Sequence, residues 1–415
     1  MKIKSSFDIL YILIGIPWIF MMIATSRGFT RIKTVMLLCL SIVAFLEFIC
    51  EKKRIIKKEF VYLVIFLEYY LFSLIIGVFS GYEFSVSIDF AIIQYYFITP
   101  VLVVLLSTIF LYRNYRIDFL LRSIEVICLI VLVLDLAKIL SYRIGTPDID
   151  FFNLIMIASN NTEFELAIRV SNEASFMFLL PIIIVLFFEK GIKTKRRILL
   201  GTIVILGTAY GFLSGRKMLE LLIFGTVIIM LFRELISLQG KRMIHVIEFC
   251  LGGIILLVVV SKLSSTLNIE NIIGQAFNTL RKGLAKDSYG VSHRAGNIEA
   301  LMDLFLTSPI LGHGLNSYAL NSLANGITKW SYEVLYVALL AQTGILGVTL
   351  LFVSIKYILK NLIYIFKKTG DLYFLATFIG FGSFILAGGT NPMVYYIWPW
   401  VISLALIHKD FSIKE

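Results

Sequence analysis

Charge is scarce in this chain. Only 16% of its 415 residues are Asp, Glu, Lys or Arg, against about 25% in an ordinary soluble domain. Histidine and cysteine are scarcer still, with four of each. Cys39, Cys50, Cys128 and Cys250 lie in or at the ends of apolar runs without metal-ligand spacing, so they read as packing residues. No His/Cys cluster and no Walker glycine loop is present, so no metal and no cofactor is expected. No early short apolar stretch ends in a small-residue cleavage site, so the first apolar segment is expected to be retained. Internal repeats and low-complexity tracts are absent too, which argues for one domain over residues 1–415.

What is abundant is apolar surface. Hydrophobic residues make up 59% of the chain and mean hydropathy is +0.90. Runs of about 20 apolar residues, the length that crosses a bilayer as a helix, recur from end to end. The reading is an all-α polytopic membrane protein with twelve spans, at 8–25, 34–50, 60–79, 88–111, 119–140, 174–188, 198–213, 218–232, 246–262, 332–355, 372–388 and 393–408. The net charge of +11 could suggest nucleic acid, but the charges fall between the spans. Lys and Arg crowd alternate loops at 52–58, 113–116, 190–197, 233–242 and 356–368, whereas 80–87 and 389–392 have none. That bias places both termini in the cytoplasm. Arg27, Arg31 and Lys33 break the pattern, so the first hairpin fits least well.

Two long segments then fall outside, 141–172 and 263–331. The second is too long for a plain connector. It carries apolar residues at helical spacing in 269–284 and again in 294–306, as expected of helices on a membrane surface or over a cavity.

Polar residues gather where these outer segments meet the spans. Arg216 and Lys217 follow Ser214-Gly215 at a tight turn between two apolar runs. They either snorkel to the interface or, for Arg216 especially, offer a planar fork to a phosphate. Arg169, Asn172 and Glu173 stand where the first outer segment re-enters the membrane. They read either as a helix cap with its dipole carboxylate or as a polar cluster facing substrate. Arg294 opens the amphipathic stretch, as an interfacial cation or as an anion ligand. Pro309, Gly312 and Gly314 end that stretch in a turn, with His313 between the glycines. Glu333, after Tyr332 and near Tyr336, begins the tenth span; a desolvated carboxylate there would serve as a base, and its plainer role is to complement a helix dipole.

In this order the pieces resemble the O-antigen polymerase and ligase superfamily of bacterial envelopes. The match spans roughly 165–400 and rests on R-V-S-N-E-A-S, S-G-R-K, R-A-G-N-I-E-A, P-I-L-G-H-G, W-S-Y-E-V-L-Y-V-A-L-L-A-Q-T-G-I-L-G and G-T-N-P, which contains Asn391. The resemblance implies a GT-C-like glycosyltransferase acting on undecaprenyl-pyrophosphate-linked oligosaccharides at the periplasmic face of the inner membrane. It implies a flippase and a chain-length regulator as partners. Ligases of the family usually carry His-Asn at a position that, counted back from Gly344, is here Glu333-Val334. The missing histidine looks like the polymerase branch. Glu333, Arg216 and Arg294 are then the expected catalytic groups. Arg169, Asn172, Glu173, Lys217, His313, Tyr332, Tyr336 and Asn391 are expected to bind substrate. A ligase transferring glycan to lipid A or protein is the nearer alternative, and a lipid-linked oligosaccharide flippase the more distant one.

Overall fold

The computed structural model describes residues 6–24, 30–50, 73, 75–77, 79–80, 114–144, 157–160, 168–170, 173–189, 191–214, 217–236, 289–319, 332–389 and 398–411. These residues are almost entirely helical. In chain order they form α1 (Ser6–Ala24), α2 (Thr30–Cys50), α3 (Asn114–Ile144), α4 (Glu173–Phe187), α5 (Thr194–Ser214) and α6 (Lys217–Ile236). After these come α7 (Tyr289–Thr307), α8 (Leu335–Thr369), α9 (Leu372–Gly388) and α10 (Trp398–Phe411). The exception is an antiparallel ribbon of β1 (Ile157–Asn160) and β2 (Ile168–Val170), bulged between Ile157 and Ser159, inside the segment expected to be a plain loop. The expected spans at 88–111 and 246–262, nearly all of 60–79, and the helical pattern at 269–284 lie outside the described residues.

α4 is the axis of the bundle. Every residue from Ala174 to Leu186 is buried, as expected of a helix apolar on all sides. It packs on α1, α5, α6 and α9. Small residues let the neighbours approach: a Cβ on Gly380 of α9 would lie 2.7 Å from the Phe178 carbonyl oxygen, and one on Gly207 of α5 would lie 2.4 Å from a Leu180 methyl. Phe178 also meets Trp398 edge-on, with ring centres 4.9 Å apart, which seats α10 against the same core.

The outward faces are apolar as well. Val35, Leu38, Ile42, Phe45 and Ile49 form an exposed stripe on α2, and Leu221, Phe224, Ile228 and Phe232 form one on α6. Continuous exposed stripes of this kind are rare on soluble monomers and mark a surface that meets lipid or protein. Among the described residues, two helices are long and apolar enough to cross a membrane, Phe7–Ala24 and Leu335–Thr369.

The second of these corrects the expectation of one continuous span at 332–355. α8 is broken at Gly344, whose φ of 65° and ψ of −174° are not helical. In a straight helix Tyr336 and Phe352 would stand about 24 Å apart. Their ring centres are 5.9 Å apart. The arms 335–343 and 345–369 therefore fold back on each other in a V. The longer arm also takes in Lys356, Lys360, Lys367 and Lys368, expected in a loop, and ends at Gly370. Asp371 then caps α9 by accepting the Tyr373 backbone N–H at 3.0 Å.

Candidate functional site

The backbone gathers several of the expected residues at one end of the bundle. Glu173 starts α4 and Lys217 starts α6, the two helices in contact, while β2, which carries Arg169, packs on α5. Ser175 near the same end of α4 donates to the Met22 carbonyl of α1 at 3.3 Å. The α5–α6 hairpin is closed by Ser214, whose hydroxyl donates to the Gly211 carbonyl at 3.1 Å. Arg216, Asn172 and Asn391 lie outside the described residues.

At this end the break in α8 meets the turn after α7. In an unbroken helix Ile345 and Leu346 would donate to the carbonyls of Ala341 and Gln342. Here Ile345 N–H donates to the Pro309 carbonyl at 2.9 Å and Leu346 N–H to that of Ile310 at 3.2 Å. The released carbonyls accept from the turn in exchange: Ala341 from His313 N–H at 3.1 Å, and Gln342 from Gly314 N–H at 2.7 Å. Four of the six backbone groups freed by the break are thus re-paired by the turn. The approach is close enough to need glycine on both sides. A Cβ on Gly312 would lie 2.5 Å from the Gln342 carbonyl, and one on Gly344 would lie 2.2 Å from the Ile310 carbonyl oxygen. Gln342 adds a side-chain bond, donating from Nε2 to the Ser317 carbonyl at 3.0 Å.

This joint carries the shorter arm of α8 and the residues before it. Leu301 of α7 packs with Ala319, Tyr332, Val334, Ala338 and Ala341 in a second, smaller core. The backbone of Arg294 lies two turns before Leu301 on α7, whose start reaches back to Tyr289. Tyr332 is buried and its hydroxyl accepts from Ala319 N–H at 3.0 Å. Tyr336 donates its hydroxyl to the Ile385 carbonyl of α9. His313 braces the end of α7, with Nε2 2.7 Å from the Thr307 hydroxyl and 3.0 Å from the Leu304 carbonyl. Three expected substrate ligands thus have structural partners here. Glu333 is exposed, just before the helix, so the expected desolvation of its carboxylate is not found.

Two features of this end were not anticipated from sequence. One is the joint itself. The other is Asn316, 6% exposed, whose carboxamide makes no hydrogen bond and lies where a Cβ on Gly77 would come within 1.8 Å of its Oδ1. Its signal is only its place two residues after Gly314.

The opposite end holds a cavity of about 580 Å³. The starts of α3, α5 and α9, the end of α6, the two residues after α4 and the α8–α9 turn line it, so successive helices from α3 to α6 alternate in direction. Arg196 organises it. Its Nε and Nη2 donate to the two Glu125 oxygens at 3.2 and 2.7 Å, and Nη1 donates to Glu189 at 3.0 Å. Nη2 also donates to the Tyr373 hydroxyl. Burial opposes the charge on Arg196, but the hydrogen bond to Glu125, the Tyr373 hydroxyl and the two carboxylates outweigh it and hold the guanidinium protonated. Glu189 moves the other way from an ordinary acid: burial raises its pKa, Asp371 and Glu125 add to the rise, and Arg196 only partly offsets it.

Two results are expected from this network. Arg196→Ala leaves Glu125, with 5% of its side chain exposed, without its bidentate partner. Removing one partner of a buried pair costs about 3–5 kcal/mol, whereas an apolar double replacement is near neutral. The melting temperature should therefore fall for Arg196→Ala and largely recover in Arg196→Met/Glu125→Leu; an unchanged single variant would refute the pairing. For Glu189 the raised pKa means that its contribution to stability is fullest at low pH and is lost as pH rises through that pKa. Glu189→Gln, which imitates the protonated acid, should match or exceed the parent's stability at neutral pH. The gap should close as pH falls through the carboxylate range, and a gap that widens on acidification would reverse the assignment.

No protein-family model matches the chain, and no curated protein matches it.

Proposed function

We propose that this chain is an integral membrane glycosyltransferase that polymerises undecaprenyl-pyrophosphate-linked oligosaccharide repeat units at the periplasmic face. The observation that carries the reading is the joint between the 309–314 turn and the break at Gly344. It draws two of the motifs behind the family resemblance into one assembly and fixes beside them α7, which bears Arg294, and the helix start that bears Glu333. The apolar stripes on α2 and α6 and the two membrane-length helices support placing that assembly at a bilayer.

In this reading Arg216 and Arg294 stabilise the pyrophosphate that leaves as the glycosyl bond breaks. Glu333 takes the proton of the acceptor hydroxyl. Its exposure suits a group that must be reached by a second lipid-linked substrate. Direct displacement by that hydroxyl inverts the anomeric carbon. Arg169, Asn172, Glu173, Lys217 and Asn391 orient the two substrates.

A broken helix is also what transporters use, and a lipid-linked oligosaccharide flippase is the second reading. In such proteins the unwound backbone groups meet the substrate or ion. Here the turn already occupies four of the six. The glycan of a deletion strain separates the outcomes. Capped single repeat units identify a polymerase, unattached polymer identifies a ligase, and lipid-linked units trapped on the cytoplasmic side identify a flippase. Within the polymerase reading, Glu333→Gln should bind the lipid-linked donor normally and lose polymer formation. Long polymer made at near parental rate would remove Glu333 from the mechanism.

A further inference from the structure

The cavity at the opposite end takes no part in that reaction. Its volume of about 580 Å³ falls among ligand sites, which run at about 300–1,000 Å³. The walls carry both signs of charge, with Arg122, Arg196 and Arg233 facing the same space as Asp118, Glu189 and Glu234. A simple anion would meet the carboxylates there, and a simple cation would meet the guanidiniums.

Arg233 is the group that asks for a ligand. Its guanidinium lies 5.8 Å from the centre of the Phe366 ring. Its Nη1 is shielded from solvent and makes no hydrogen bond, with Glu234 Oε1 3.7 Å away. The side chain as a whole is 37% exposed and lines the cavity, so an anionic oxygen there would meet the open part of the guanidinium. Glu189, in the same wall, is a half-buried carboxylate that would gain from a second cation beside it. The exposed apolar stripe of α6 supplies the direction of entry. It runs Leu221, Phe224, Ile228, Phe232 and ends at the residue before Arg233. A lipid lying along the stripe would have its acyl chains on these side chains and its headgroup at the mouth of the cavity.

We propose that this cavity binds a phosphoethanolamine zwitterion, presented as the headgroup of a membrane phospholipid, with the phosphate on Arg233 and the ammonium toward Glu189. The proposal rests on the membrane reading of the bundle and not on the reaction at the other end, so it is tested by binding alone. Purified full-length protein is titrated with phosphatidylethanolamine, with phosphatidylglycerol of the same chains, and with free O-phosphoethanolamine, while native mass spectrometry and melting temperature are followed. Phosphatidylethanolamine should be retained and raise the melting temperature, and phosphatidylglycerol, lacking the ammonium, should bind about tenfold more weakly. Arg233→Ala should weaken both lipids, because both present the phosphate. Arg233→Lys should keep part of that affinity, and serves if the alanine variant does not fold. Glu189→Gln should narrow the gap between the two lipids. Equal binding of the two lipids overturns the zwitterion. Full protection by free O-phosphoethanolamine, with nothing added by the lipid, overturns the lipid source. Lipid affinity unchanged in the Arg233 variants, or a preference unchanged in Glu189→Gln, overturns the site.

Discussion

Gly344→Ala is expected to leave little correctly folded protein. Gly344 sits at φ 65° and ψ −174°, a region open essentially to glycine alone that costs a residue with a side chain roughly 1–3 kcal/mol. The steric term is larger. The new methyl would come within 2.2 Å of the Ile310 carbonyl oxygen and 2.7 Å of the Gly312 nitrogen, both backbone atoms of the partner turn. Neither side of the joint can retreat without losing the exchanged hydrogen bonds, and each buried backbone group left unpaired costs about 1–3 kcal/mol. Gly312→Ala, at φ 70° and 2.5 Å from the Gln342 carbonyl, should fail in the same way. Gly382→Ala is the control. That glycine lies within α9, where an added methyl would meet nothing inside 4 Å, and alanine in a helix is favoured over glycine by about 0.5–1 kcal/mol. Yield of monodisperse protein and its melting temperature read all three. A Gly344→Ala protein as stable as the Gly382→Ala control would show that the joint does not hold the site together.

Much of the helical pattern could be read from the chain because a long apolar run has little choice of structure in or near a membrane. Expected spans at 174–188, 198–213, 218–232 and 372–388 coincide closely with α4, α5, α6 and α9. The amphipathic stretch at 294–306 lies within α7. The break in α8 was not legible, because the apolar run continues through it and its cause lies elsewhere in the chain. Gly344 gives way to a turn about thirty positions earlier, and the bonds between them are backbone to backbone, with no side-chain signature. The Arg196 network was hidden for a related reason. Its strongest partner, Glu125, is 71 residues away, and each alone looks like a loop cation and a stray buried acid. Glu333 shows the limit for the candidate site: its place before an apolar run suggested burial, but the helix starts two residues later and leaves its side chain exposed.

That exposure moves the weight of the proposed chemistry onto the arginines, and Arg294→Ala is the second large effect expected. A glycosyl–pyrophosphate bond breaks with negative charge growing on the leaving group. A guanidinium already placed there stabilises the transition state more than the ground state. Losing one such donor typically lowers turnover by about 10²–10³. The backbone of Arg294 lies two turns before Leu301, the α7 residue buried against the short arm of α8, so melting temperature is read beside turnover. The variant should melt as the parent does while its product ladder collapses toward single repeat units. Arg294→Lys should restore little, since an ammonium meets phosphate as a point charge and lacks the bidentate fork. Arg216→Ala should behave alike, with the double variant no worse than about the product of the two losses if each meets the leaving group independently. Purified protein with lipid-linked repeat units and a gel of the products provides the readout. Near-normal ladders from a stable Arg294→Ala protein would return this residue to the role of an interfacial cation, and would leave the joint at Gly344 as a scaffold whose reacting groups have still to be found.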